Sequence, residues 1–149
     1  MPFCHSHARF GAVVLSCLLA WLVAGCADSD VGKCFPVEGQ VLIDGRPLQG
    51  LTGSVVFVAD TDKGNTIPHR PAGTINAEGR YKLFTRGKDG APTGWYKVLV
   101  TAVPPGTGDR EVTRPVFDSR YTNEALTPLS VEVVPNPAPG KYDLPISRR

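Results

Sequence analysis

The sequence predicts an all-β domain, a seven-stranded antiparallel sandwich, set behind an N-terminal segment of different character. Three observations predict it. Short runs of β-branched and aromatic residues alternate apolar with polar positions, the period of a half-buried strand. Gly 16 and Pro 14 recur between those runs, where turns interrupt strands. After residue 25 no stretch carries a helical period. The 149 residues suffice for one domain. The net charge of +2, with no basic run beyond Arg148-Arg149, argues against a nucleic-acid partner.

The first segment, residues 1–25, reads as a secretory signal. Phe10 to Gly25 carries no charge and follows Arg9. That run is shorter than the roughly 20 apolar residues a spanning helix needs, and it ends in small residues. Val23-Ala24-Gly25-Cys26 resembles the lipobox of bacterial lipoproteins. The resemblance implies cleavage before Cys26 and a diacylglycerol thioether, with acyl chains of the palmitate kind, on its sulfur. Each buried methylene contributes about 0.8 kcal/mol, so two or three chains would hold the protein at a membrane without a spanning helix. The expected location is the cell envelope, outside the cytoplasm. Ala27 stands where an Asp would mark inner-membrane retention in some bacteria, and Asp28 follows it, so the choice of membrane stays open. Cys4 and Cys17 leave with the signal and Cys26 is capped, so Cys34 has no disulfide partner.

Residues 26–35 read as a lipidated tether, the stretch Ala27 to Lys33 being small and polar. The β-domain is placed at residues 36–149. Its first strand covers Pro36 to Ile43, with Val37, Val41 and Ile43 on one face and Glu38 and Gln40 on the other. Asp44-Gly45 predicts a tight turn. Ser54 to Ala59 is apolar on both faces and reads as a central strand. Asp60 to Pro71 is a polar loop, and Ala72 to Ile75 a short strand. Asn76 to Gly79 turns the chain into Arg80 to Thr85, with Tyr81 and Leu83 inward and Arg80 and Lys82 outward. Arg86 to Gly94 is a glycine-rich connection. Gly94 to Val103 is the longest strand signal: Tyr96, Val98, Val100 and Ala102 share an apolar face, and Trp95, Lys97, Leu99, Thr101 and Val103 a mixed one. Lys97 and Arg80 are expected to be exposed. Phe117 to Tyr121 reads as a brief strand or a turn. Leu129 to Val134 alternates cleanly. Lys141 to Ile146 closes the chain at a sheet edge, because Pro145 cannot donate to a ladder.

The sequence of these signals is similar to a known group. Val37-x-Gly39-x-Val41-x-x-Asp44-Gly45-x-Pro47-Leu48, Val55-x-Phe57, Gly73 with Gly79-x-Tyr81-x-Leu83, and Gly90-Ala91-Pro92-x-Gly94-x-Tyr96-x-Val98 resemble the transthyretin-like (prealbumin-like, Ig-like), carboxypeptidase-regulatory-like sandwich. The resemblance covers residues 36–103 and extends more loosely through Tyr121, Leu129 and Val131-x-Val133. It implies a small lipoprotein of the sort common in planctomycete-type bacteria, and it supplies a fold without an activity.

Candidate chemistry is sparse. Asp60-x-Asp62-x-Gly64-Asn65 fails as a calcium loop, because Asn65 stands at the sixth place and Pro71 at the twelfth; a solvated turn is the expectation. His69, the histidine that remains after processing, sits in a proline-flanked loop and reads as exposed. A hydroxyisourate hydrolase, an enzyme of this fold, carries several His and Arg and ends Tyr-Arg-Gly-Ser, whereas this chain ends Pro145-Ile146-Ser147-Arg148-Arg149. Lys82, Lys97 and Asn136 are the residue types of a Lys–Asn strand cross-link, but they read as outward or in turns. Gly106-x-Gly108 is too sparse for a phosphate loop. Trp95, on the mixed face, is the candidate ligand contact. Neither a catalytic residue, a metal site nor a cofactor is expected. The sequence therefore reads as a non-catalytic envelope lipoprotein, membrane-held through Cys26, that binds a protein or polysaccharide. The alternative is an envelope enzyme, or an accessory subunit of a secreted complex, with an unrecognised site.

Overall fold

The computed structural model describes residues 31–105 and 116–148. Its regular elements are strands and two short 3-10 turns, Thr61–Lys63 and Ser119–Thr122. The strands are β1 (Cys34–Phe35), β2 (Glu38–Ile43), β3 (Arg46–Pro47), β4 (Thr52–Ala59), β5 (Ala72–Ile75), β6 (Arg80–Lys82), β7 (Phe84–Thr85), β8 (Lys88–Asp89), β9 (Ala91–Pro92), β10 (Gly94–Val103), β11 (Ser130–Val133) and β12 (Leu144–Ile146). The main sheet runs β11-β10-β4-β5-β6-β2-β12, with β3 on β2 and the β7–β8 hairpin on β5. Residues from strands at both ends of this order meet in one core cluster, so the sheet curls around it. No helix among the described residues is long and apolar enough to cross a membrane.

β10 organises the sheet. Tyr96, Val98, Val100 and Ala102 are buried, and they face Ala59, Phe57, Val55 and Gly53 across the antiparallel β10–β4 ladder. Phe57 and Tyr96 pack with ring centroids 5.6 Å apart. β4 lies between β10 and β5, the central place that its two-faced apolar run predicts. Val37, Val41, Ile43, Tyr81 and Leu83 are buried as their alternation requires. Asp44 and Gly45 have φ of 50° and 78°, both left-handed, as a two-residue turn between β2 and β3 demands.

Several features differ from the sequence reading. Val31 is buried and Cys34–Phe35 pairs with Ala91–Pro92, so the folded unit takes in residues assigned to the tether. Cys34 is accordingly half-buried in a strand. The Arg86-to-Gly94 connection contains a hairpin, β7–β8, whose turn residues Arg86 and Gly87 have φ of 48° and 85°. A left-handed arginine costs about 1–2 kcal/mol, so nothing local signals that turn. Phe117 to Tyr121 takes the turn of its two readings, and the turn is anchored: Phe117 and Tyr121 are buried edge to face, and Asp118 Oδ1 caps the Ser119–Thr122 turn by accepting from the Arg120 N–H at 3.0 Å. β12 lies at the sheet edge, as Pro145 dictates, yet it runs parallel to β2, the one parallel pair among the described strands. A parallel partner needs a long crossover. The chain supplies it by leaving β11 at one edge, passing through Pro135 to Gly140 and returning at the other.

Candidate functional site

Two regions of the curled sheet pair an aromatic ring with a lysine. The first lies where β10 begins. The loop after β4 is tied to it by backbone bonds: the Asp60 N–H donates to the Trp95 carbonyl at 3.0 Å, and the Asp60 carbonyl accepts from Lys63 and Asn65. Asn65 Nδ2 donates to the same Trp95 carbonyl at 2.7 Å, while its Oδ1 accepts from the Ile67 N–H at 3.0 Å. Gly94 makes room for this amide, since a Cβ there would lie 2.9 Å from Asn65 Nδ2. Asp60 and Asn65 are therefore buried, which corrects the expected solvated turn. Their burial follows from the unpaired polar groups of the strand start, which the loop satisfies.

Trp95 is half-buried, and the Lys63 ammonium stands 3.9 Å above its ring while donating to Ser130 Oγ at 2.7 Å. One face of the candidate contact is thus occupied by the protein's own cation. Lys97, expected to be exposed, is instead half-buried, 3.1 Å from Asp62 Oδ2 and 3.9 Å from Asp60 Oδ1. The hydrogen bond to Asp62 first, then the charges of Asp62, Asp60 and Glu124, raises its pKa. Asp60 Oδ1 has no hydrogen-bond partner, and the Lys97 charge beyond bonding distance compensates it. A small cleft of ≈ 240 Å³ lies beside Trp95, lined by Asn65, Thr66 and Thr93 among others.

The second region is a groove of ≈ 640 Å³ over β2, β5 and β6. Its walls are Glu38, Gln40, Thr74, Asn76, Arg80, Lys82, Phe84 and Asp143. Gly39 forms the floor, because the chain after Gly140 crosses it closely enough that a Cβ would collide with the Tyr142 carbonyl. The crossing chain is fixed from both sides. Tyr81 Oη donates to the Tyr142 carbonyl at 2.6 Å, and the Gln40 N–H donates to Asp143 Oδ1 at 2.9 Å. Burial, then the nearby Asp143 and Tyr142, pushes the Tyr81 phenol well above its ordinary range. Asn76 Oδ1 accepts from the Glu78 and Arg80 N–H groups, and Gln40 Nε2 donates to the Glu78 carbonyl.

Phe84 is 44% exposed, the exposed aromatic among the described residues. Lys82 Nζ is drawn to Asp89 at 2.9 Å and Glu38 at 3.5 Å, and lies 5.5 Å from the Phe84 centroid. Arg80 is exposed, as expected, and its guanidinium makes no ion pair or hydrogen bond among the described residues. Sequence reasoning missed this groove. The signal was present in the alternation itself, which puts Phe84 outward with Arg80 and Lys82, but the strands that wall it are brought together only by the fold.

The remaining candidates lie apart. Cys26, Val23, Ala24, Gly25 and Gly106-x-Gly108 fall outside the described residues. His69 is half-buried rather than exposed. Asn136 is exposed, while Lys82 and Lys97 are engaged by carboxylates as described. Among the described residues no group of three or more His, Cys, Asp or Glu is placed to hold a metal ion. A further groove of ≈ 650 Å³ is lined by Arg46, Leu48, Leu51 and Val116, with Asp44 and Arg148 3.8 Å apart at its rim. No family model, curated protein or solved structure matches the chain.

Proposed function

We propose that the protein is a membrane-tethered lipoprotein of the cell envelope, and that its curled sheet, a sandwich of transthyretin-like type, is a non-catalytic module that binds a protein or polysaccharide. The lipobox-like Val23-Ala24-Gly25-Cys26 supplies the anchor. One observation supports the arrangement: the compact unit begins at Val31, with only residues 27–30 between it and Cys26. At about 3.5 Å per extended residue, that spacer holds the domain within about 20 Å of the bilayer surface. A partner bound by the domain is then kept beside the membrane.

Replacing the cysteine tests the anchor. Cys26→Ser abolishes incorporation of labelled palmitate and moves the protein from the membrane to the soluble fraction of the envelope. Unchanged labelling and membrane retention in the variant would overturn the reading.

A further inference from the structure

We infer that the groove over β2, β5 and β6 binds a neutral oligosaccharide, with Phe84 stacking on a sugar ring and Arg80 and Gln40 reading its hydroxyls. The inference deepens the proposed function and rests on the binding-module reading.

Volume comes first. At ≈ 640 Å³ the groove is within the range of about 300–1,000 Å³ typical of small-ligand sites. Its walls are mostly polar, which disfavours an apolar ligand. The polar groups also alternate in kind. Arg80 and the Asn76 amide nitrogen donate, because Asn76 Oδ1 is already used twice by backbone N–H groups. Gln40 Oε1 accepts, because its Nε2 is held by the Glu78 carbonyl. A sugar hydroxyl both donates and accepts, and so matches such an alternation.

Charge selects among saccharides. Glu38 and Asp143 balance Arg80 and Lys82 along the walls, and Asp89 adds a further acid beside Lys82. An anionic ligand meets no net positive field here, so the neutral class is favoured. Phe84 completes the chemistry, since the C–H face of a pyranose covers an exposed ring. Lys82 Nζ, drawn to Asp89 and Glu38, stands over one side of that ring at 5.5 Å, and Phe84 keeps 44% of its surface exposed. The supports are rigid: Gly39, Tyr81 and Asp143 fix the floor through contacts with the 140–143 segment. Little ordering is then left to be lost on binding.

The test uses the full chain, extracted in detergent, against immobilised cellohexaose, laminarihexaose, mannohexaose, xylohexaose and chitohexaose, with a galacturonate hexamer as the charged probe. At least one neutral hexamer is expected to bind, and Phe84→Ala and Arg80→Ala each weaken it about tenfold. Arg46→Ala, in the other groove, retains the wild-type affinity. Thermal unfolding of each variant, together with Phe84→Leu, which keeps an apolar side chain but removes the ring, separates loss of stacking from loss of fold. Absence of binding to every neutral hexamer, preference for the uronate, or unchanged affinity in folded Phe84→Ala and Arg80→Ala overturns the inference. Shortening of a bound hexamer would instead overturn the non-catalytic reading while leaving the groove assignment in place. Palmitate labelling of Cys26 reports on the anchor alone.

Discussion

Trp95 and Phe84 are both outward-facing aromatics with a lysine over the ring, yet Trp95 is half-buried and Phe84 exposed. Lys63 has a hydroxyl partner, Ser130, on the strand next to Trp95, so its shortest route crosses the indole and the ammonium rests 3.9 Å above it. Lys82 has carboxylates on either side, Glu38 on β2 and Asp89 on β8, and they hold its ammonium 5.5 Å from the Phe84 centroid. The indole is the larger and more polarisable ring and would be the natural first choice for a contact. The cation's second partner, rather than the ring, sets how closely the ammonium approaches it. The supports differ as well. Gly94 lies against a buried side chain, Asn65, whereas Gly39 lies against the Tyr142 backbone.

The largest expected effect uses that last difference. Gly39→Ala drives a Cβ into the Tyr142 carbonyl; Gly39 is fixed by its pairing with Tyr81, and the carbonyl by the Tyr81 hydroxyl. A loss of about 3 kcal/mol or more is expected. Gly94→Ala meets a side chain at 2.9 Å and adds a φ of 142° unfavourable to alanine, so about 2 kcal/mol is expected there. Urea midpoints at constant slope give both values. Equal losses would show that the two floors are alike after all.

A smaller effect separates the two asparagines. Asn65→Ala removes two hydrogen bonds at a buried site, leaving the Ile67 N–H without its acceptor and the Trp95 carbonyl with the Asp60 N–H alone, at a cost of about 1–3 kcal/mol. The Trp95 emission is expected to shift to the red as the loop loosens. Asn76→Ala removes two bonds on an exposed turn, where water replaces them, and costs under about 1 kcal/mol. An Asn76→Ala variant as damaged as Asn65→Ala would contradict the contrast between a plugged and an open region.

The smallest effect is in alkali. Hydrogen bonding to Asp62 raises the Lys97 pKa, and hydrogen bonding to Asp89 raises that of Lys82. A group with a raised native pKa contributes stability that is complete below its unfolded value, about 10.4 for lysine, and lost as pH rises through the native one. Tyr81, raised by burial, acts in the same sense above about pH 10. The urea midpoint should therefore hold level to about pH 9.5 and fall above about pH 10. Lys97→Met and Lys82→Met each flatten part of that fall. Added salt should weaken both contributions, because Asp62, Asp89 and Glu38 are all more than half exposed, and spare only the attraction of Lys97 to Asp60, which is 4% exposed. A pH profile identical in both variants and wild type would remove the ion pairs from the account.

Much of the fold is legible in the sequence. The alternation in Gly94 to Val103 placed Tyr96, Val98, Val100 and Ala102 inside, and Asp44-Gly45 marked its turn. Both are local properties: a strand sends successive side chains to opposite faces, and a left-handed turn selects glycine and aspartate. Arg86-Gly87 escaped because arginine gives no such signal. The candidate groove escaped because its walls come from Glu38, Thr74, Arg80 and Asp143, which belong to four separate stretches.

What the sequence by itself determined is therefore the all-β class, the position of the long strands and the face that most of their residues take. Tertiary structure alone decided the strand order, the parallel return of β12 and the carboxylate to which each lysine turned. The physical reason is range. Backbone alternation is settled within a few residues, whereas the Gln40–Asp143 bond joins positions 103 apart and exists only once the sheet has curled. The lysine over each ring, Lys63 over Trp95 and Lys82 over Phe84, is placed by partners on neighbouring strands.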